Sequence, residues 1–189
     1  MYFAIASAII AVACSAITIK TLVGYSDIRR PRKIIVGLLV VVGWFAPLLV
    51  GLVRDSGLFG PEAFAVVSKI LYLMFGTVFI LFSMLLFRDV VWFALYWIYS
   101  KIFGENWKLH PKNINLLDKA NFIVVLLTAV LASMAVYGGA REPELKRLEF
   151  ASARISKDMR IVMINDTHIN RTTPVETVRK LVDRVNALD

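Results

Sequence analysis

The residues best suited to chemistry lie near the end of the chain, in the polar run Asn165-Asp166-Thr167-His168-Ile169-Asn170-Arg171. In an extended loop, residues two apart point to the same side, so the Asp166 carboxylate and the His168 imidazole can converge on one cation. A mixed oxygen and nitrogen donor pair suits a divalent metal such as Mn, Fe or Zn. Two ligands from one loop fall short of the three or more protein ligands usual at a catalytic metal. Asp166 and His168 are therefore the expected metal ligands, and they form half of a site.

The neighbouring residues read as the elements that would position this loop. Arg160 to Ile164, RIVMI, is a short apolar run rich in β-branched residues and is expected to be a buried strand. Thr173 can cap a helix, Pro174 fits its first position, and Glu176 completes a T-x-x-E capping box. Val175, Val178, Leu181, Val182, Val185 and Leu188 follow at helical spacing, opposite Arg179, Lys180, Asp183 and Arg184. Strand, polar loop and amphipathic helix make the first half of a βαβ crossover, a fold in which ligands gather beyond the carboxyl ends of strands. Residues 141–159 read as a linker, with Leu148 and Phe150 alternating in a possible edge strand.

Ile161 to Asp189 resembles the opening of the calcineurin-like metallophosphoesterases, whose first motif is D-x-H after a buried strand, commonly within SDTH or SDLH. Asn165 stands where Ser is common and Asn170 where Gly is common, and neither change removes a ligand. The resemblance implies that Asp166 and His168 hold one ion of a two-metal centre that hydrolyses a phosphoester. It also implies a GD-x-x-D motif, a GN-H motif and a G-H-x-H motif, none of which occurs in these 189 residues. Two-metal catalysis needs ions roughly 3.5–4 Å apart. The expectation is thus the amino-terminal part of a larger membrane-bound hydrolase, inactive alone, with residues 160–189 opening a truncated α/β domain.

Residues 1–140 are of another kind. Hydrophobic residues make up 58% of the chain and its mean hydropathy is +0.68, too apolar for an ordinary soluble domain. The apolar residues bunch into four stretches, from about Tyr2 to Ile19, Ile34 to Val53, Ala63 to Phe87 and Phe122 to Gly139. Each has the length a helix needs to cross about 30 Å of hydrocarbon at 1.5 Å per residue. Four transmembrane helices are expected, because lipid offers the backbone no hydrogen-bond partner. Pro47 is expected to kink the second. Lys69 is the one charge inside a span and lies close enough to its end to snorkel. VVWFALYWIYSKIF, after Arg88-Asp89, is too short for another span and is expected to prolong the third helix. Trp44, Trp92, Trp97 and Trp107 read as packing residues or interface anchors.

Within residues 1–140, Lys and Arg concentrate in two loops, Lys20, Arg29, Arg30, Arg32 and Lys33 in one, and Arg88, Lys101, Lys108, Lys112 and Lys119 in the other, while the segment after the fourth span is basic too, at Arg141, Lys146, Arg147, Arg154, Lys157 and Arg160. The positive-inside bias places both loops in the cytoplasm, so the termini, including the tail after Gly139, face outward. The localisation expected is a multi-pass protein of the cell membrane whose partner is the lipid bilayer. Its phosphoester substrate would be met only by a complete domain. Basic residues confined to loops do not form the clustered face that nucleic acid requires. Cys14, the single cysteine, cannot form an internal disulfide. His110 has no ligand partner at metal spacing, and the chain has no Gly-rich phosphate loop, nucleophile elbow or C-x-x-C. The alternative is a four-span scaffold or transport accessory protein without enzyme activity, in which Asp166 shapes a turn and His168 is a solvated loop residue.

Overall fold

A computed structural model of the chain describes residues 2–24, 26, 28–104, 114–139, 144–150, 159–165, 167, 169, 173 and 175–188. The described residues form five helices: α1, Tyr2–Val23; α2, Arg30–Ser56; α3, Pro61–Phe103; α4, Ile114–Gly139; and α5, Val175–Asn186. The first four are long and apolar enough to cross a membrane, and the described residues have the all-α architecture of an integral membrane protein. Most of their large apolar side chains point outward, as lipid-facing helices require.

Local chemistry marks the helix ends. The Gly24 amide donates to the carbonyls of Ile19 and Lys20, at 3.3 and 3.1 Å, closing α1 four residues beyond the end of its apolar run. Pro31 sits in the first turn of α2, where its missing N–H costs nothing, and Gly57 ends that helix in the left-handed conformation with φ of 64°. Pro47 lies within α2, which continues through it to Ser56. Pro61 starts α3 in the same way as Pro31 starts α2.

The third helix is the longest. It runs without interruption through Arg88-Asp89 to Phe103, as the sequence leads one to expect, and its 43 residues extend about 64 Å at 1.5 Å per residue. The fourth begins at Ile114, eight residues before the apolar run that marks it in the sequence. Polar Asn115, Asp118, Lys119 and Asn121 conceal this first part from a hydropathy reading, but Leu117 and Asn121 are buried against the bundle.

The core of the bundle centres on Trp44 of α2. Its indole nitrogen donates to Thr18 Oγ1 of α1 at 3.3 Å, and its ring meets Phe75, Phe79 and Phe82 of α3 edge-on. Next to it, Gly43 lets α3 come close: a β-carbon there would lie 2.5 Å from Val78 Cγ2 and 3.3 Å from the Met74 carbonyl oxygen.

That contact also fixes the height of the charged residues. Because α2 and α3 are antiparallel, ten residues back from Gly43 reaches Lys33 and ten forward from Val78 reaches Arg88, both about 15 Å from the contact. In the other direction, Arg54 and Ser68-Lys69 lie at about the same distance. The two charged levels are thus roughly 30 Å apart, the thickness of a hydrocarbon core, with Gly43 and Val78 at its middle. Lys69 stands at the border, where its ammonium can reach headgroups.

The tail differs from the sequence expectation. Residues 160–164 form no strand, and residues 144–150 form no edge strand. A strand exists through hydrogen bonds to a neighbour, and among the described residues no segment pairs with either stretch; Ile161 and Met163 are exposed instead. The expected strand–helix unit is therefore present only in its helix, α5.

Gly43→Ala should force α2 and α3 apart at their closest point and destabilise the bundle by about 1–3 kcal/mol, the usual cost of overpacking. Reversible unfolding in mixed micelles would measure it; an unchanged stability would show that this approach does not hold the helices together.

Candidate functional site

The residues assigned to the metal by sequence, Asp166 and His168, lie outside the described residues, as do His110, Trp107 and Pro174. The polar loop is framed by exposed Ile164 and Ile169 before α5 begins at Val175. Among the described residues, no group of three or more His, Cys, Asp or Glu side chains is placed to hold a metal ion. A complete ligand set would therefore need donors in addition to those of the described tail.

The helix after the loop is strongly two-sided. Val178, Leu181 and Val185 share one side and are partly covered, while Glu176 accepts a hydrogen bond from Arg179 Nη1 at 2.8 Å on the exposed surface. No residue of α5 is buried. Arg160 Nη1 donates to the Leu188 carbonyl at 3.4 Å, the one hydrogen bond among the described residues between the run before the loop and the residues after α5.

The most connected polar group among the described residues is elsewhere, at the Lys33 and Arg88 level of the bundle. The Arg88 side chain is only 9% exposed. Its guanidinium donates to Asp89 Oδ1 from Nε at 2.9 Å and from Nη2 at 2.5 Å, and from Nη1 to Asn121 Oδ1. Asn121, on α4, turns its amide nitrogen to the carbonyls of Thr21 and Leu22 at 3.3 and 3.1 Å. These carbonyls belong to the last turn of α1, where helix geometry leaves them without an intrahelical partner. The guanidinium also places positive charge near the negative end of the α1 dipole. Every polar group in the cluster has a partner, which is what allows a cation to be retained in so little water.

Sequence reasoning singles out Arg88-Asp89 as the end of a span and Arg88 as one of the basic loop residues, and it does not single out Asn121. The signal was present, since Asn121 is a carboxamide within an otherwise helical apolar pattern, but its partners are about a hundred residues away in α1 and invisible to local spacing. Of the tryptophans, Trp44 is core packing, and Trp97 is exposed with the Lys101 ammonium 4.2 Å from its ring centroid. The hydroxyls of Ser15 and Ser68 and the indole nitrogen of Trp92 are buried without a partner among the described residues.

No protein-family model, curated protein or solved structure matches this chain.

Arg88→Met and Asn121→Leu should each destabilise the bundle by about 3–5 kcal/mol, because each leaves buried polar groups unsatisfied. The double variant removes both sides of the contact and should cost less than the sum of the two, a coupling of at least about 1 kcal/mol. Strict additivity in an unfolding cycle would mean that Arg88 and Asn121 do not act together.

Proposed function

We propose that this chain carries the start of a metal-dependent phosphoester hydrolase domain on a four-helix membrane anchor. The observation that carries the reading is the D-x-H motif, Asp166 and His168, between the apolar run RIVMI and the amphipathic helix α5. In that order a helix-flanked loop presents an oxygen and a nitrogen donor to a divalent ion, Mn, Fe or Zn. The likeness to the calcineurin-like metallophosphoesterases assigns these two residues to one ion of a two-ion centre. Two such ions, when bound, would supply Lewis-acid chemistry for attack of water on a phosphoester, and Asp166 and His168 would hold one of them. Asp166 and His168 hold and orient; the further ligands that a working site needs are not among these 189 residues. The strand–helix unit expected at residues 160–189 belongs to this proposal, its strand pairing only when neighbouring strands are supplied.

The tail lies on the extracytoplasmic side in this reading. Lys20 to Lys33 and the stretch from Arg88 to Lys119 carry ten of the eleven Lys and Arg that lie outside the spans in residues 1–140, and both adjoin helix ends on the Arg88 side of the bundle. Excess positive charge marks the cytoplasmic face. α4 then ends at Gly139 on the opposite face and delivers the tail there. A non-enzymatic four-span scaffold is the competing reading, favoured by the absence of any strand pairing among the described tail residues.

Manganese binding separates the two. In the full chain reconstituted in lipid nanodiscs, Mn²⁺ should bind, as read by the paramagnetic resonance of free ion, and Asp166→Ala or His168→Ala should weaken binding roughly ten-fold, the effect expected on losing one of so few ligands. Binding indifferent to both substitutions would leave the scaffold. The chain should show no phosphodiesterase turnover with Mn²⁺; turnover abolished by Asp166→Ala would mean that the site is complete as it stands. A phosphatase reporter fused after Asp189 should be active only outside the cytoplasm, and cytoplasmic activity would reverse the orientation.

A further inference from the structure

The two borders of the hydrocarbon differ in charge. Within residues 1–140, the stretches 20–33 and 88–119, on the Arg88 side, hold ten Lys and Arg against four acids, Asp27, Asp89, Glu105 and Asp118, a net of +6. The opposite border holds Arg54 and Lys69 against Asp55 and Glu62, a net of zero. However the side chains of these two stretches are arranged, four carboxylates cannot neutralise ten cations. The charges that bias insertion persist in the folded protein, and their counter-charge has to come from outside these stretches.

The excess is densest where α1 gives way to α2. Arg29, Arg30, Arg32 and Lys33 are four cations in five positions, and Lys20 lies in the last turn of α1, next to the carbonyls that Asn121 holds at the Arg88 level. Lys20, Arg29, Arg30 and Arg32 are exposed. Arg54 and Arg88 each hold the carboxylate of the following residue, whereas none of these four pairs with a carboxylate among the described residues. Their depth is fixed by the Gly43–Val78 contact. Lys33 stands about 15 Å from the bilayer middle, and Arg32 and Arg30 lie about 1.5 and 4.5 Å further out along α2. The headgroup layer runs from about 15 to 22 Å from the middle. The run is therefore level with lipid phosphates, a depth that a soluble acidic protein reaches only by entering the headgroups.

We propose that Lys20, Arg29, Arg30 and Arg32 form an interaction surface for anionic phospholipid headgroups of the leaflet on the Arg88 side. That leaflet is the cytoplasmic one in the orientation argued above, and the surface is independent of the chemistry of the tail. Guanidinium and ammonium groups donate charge-assisted hydrogen bonds to phosphate oxygens. A zwitterionic headgroup brings its own cation with its phosphate, so only lipids of net negative charge offset the excess. Clustered Lys and Arg beside a transmembrane helix select such lipids by this electrostatic attraction.

The test is native mass spectrometry of the full chain, equilibrated in detergent micelles with equal amounts of phosphatidylglycerol and phosphatidylcholine of the same acyl chains, where orientation plays no part. One cation strengthens contact with an anionic surface about five-fold, so bound phosphatidylglycerol should exceed bound phosphatidylcholine by at least that factor. The triple substitution Arg29→Gln, Arg30→Gln and Arg32→Gln should bring the two lipids close to parity. Arg54→Gln with Lys69→Gln, at the other border, should leave the preference unchanged, and Arg29→Lys, Arg30→Lys and Arg32→Lys together, which keep the charge, should retain it. Parity in the unaltered chain would leave the patch to a soluble acidic partner and overturns the proposal. So does a preference that survives the glutamine substitutions, that falls equally when the other border is altered, or that is lost with lysine in place of arginine.

Discussion

Hydrocarbon cannot hydrogen-bond, and the arrangement of this bundle follows from where its polar groups escape that fact. Most of them do so within their own helix: Thr18, Thr77, Ser83, Thr128 and Ser133 each donate to the carbonyl four residues earlier. Trp44 instead reaches across to Thr18 of α1, and the cluster of Arg88, Asp89 and Asn121 with the last carbonyls of α1 joins three helices that satisfy one another's donors and acceptors. A buried guanidinium without these partners would be costly, so the end of α1, the middle of α3 and the first turns of α4 are held at a common height. The α1–α3–α4 side of the bundle is set by polar satisfaction, and the α2–α3 side by the close approach at Gly43 and the aromatic cluster around Trp44.

These two kinds of contact agree on the position of the membrane. The Gly43–Val78 approach marks its middle, and the charged residues above and below are one half-thickness away on either side. The extra length of α3 then has a physical meaning. It is not needed to cross hydrocarbon and passes beyond the level at which the neighbouring helices give it cover. Length in excess of the span, together with apolar composition, leaves apolar surface exposed on this part of α3 among the described residues.

The anchor was legible in the sequence because hydropathy is a local property. The four apolar runs, the continuation of the third helix through Arg88-Asp89 and the border position of Lys69 all follow from residue type and spacing. What escaped were features that depend on distant partners. The early start of α4 is hidden by Asn115, Asp118, Lys119 and Asn121, whose polarity makes sense only against α1 and α3. The strand expected at RIVMI failed for the same reason in reverse: β-branched composition gives a propensity, but pairing needs a neighbour, and the described tail supplies none. For the candidate metal site, sequence names the two ligands, Asp166 and His168, and supplies the helix that follows them; the structure describes that helix and the residues framing the loop.

The placement of every other element rests most on the height of Arg88 relative to the bilayer. Single spin labels placed along α3 from Glu62 to Ile102, in nanodiscs, report depth through their relative accessibility to oxygen and to a polar nickel chelate. The expected profile has its greatest oxygen preference near Val78 and crosses to the polar reagent near Lys69 on one side and near Arg88 on the other. A maximum displaced toward Phe93, with Arg88 deep in the oxygen-rich region, would contradict it.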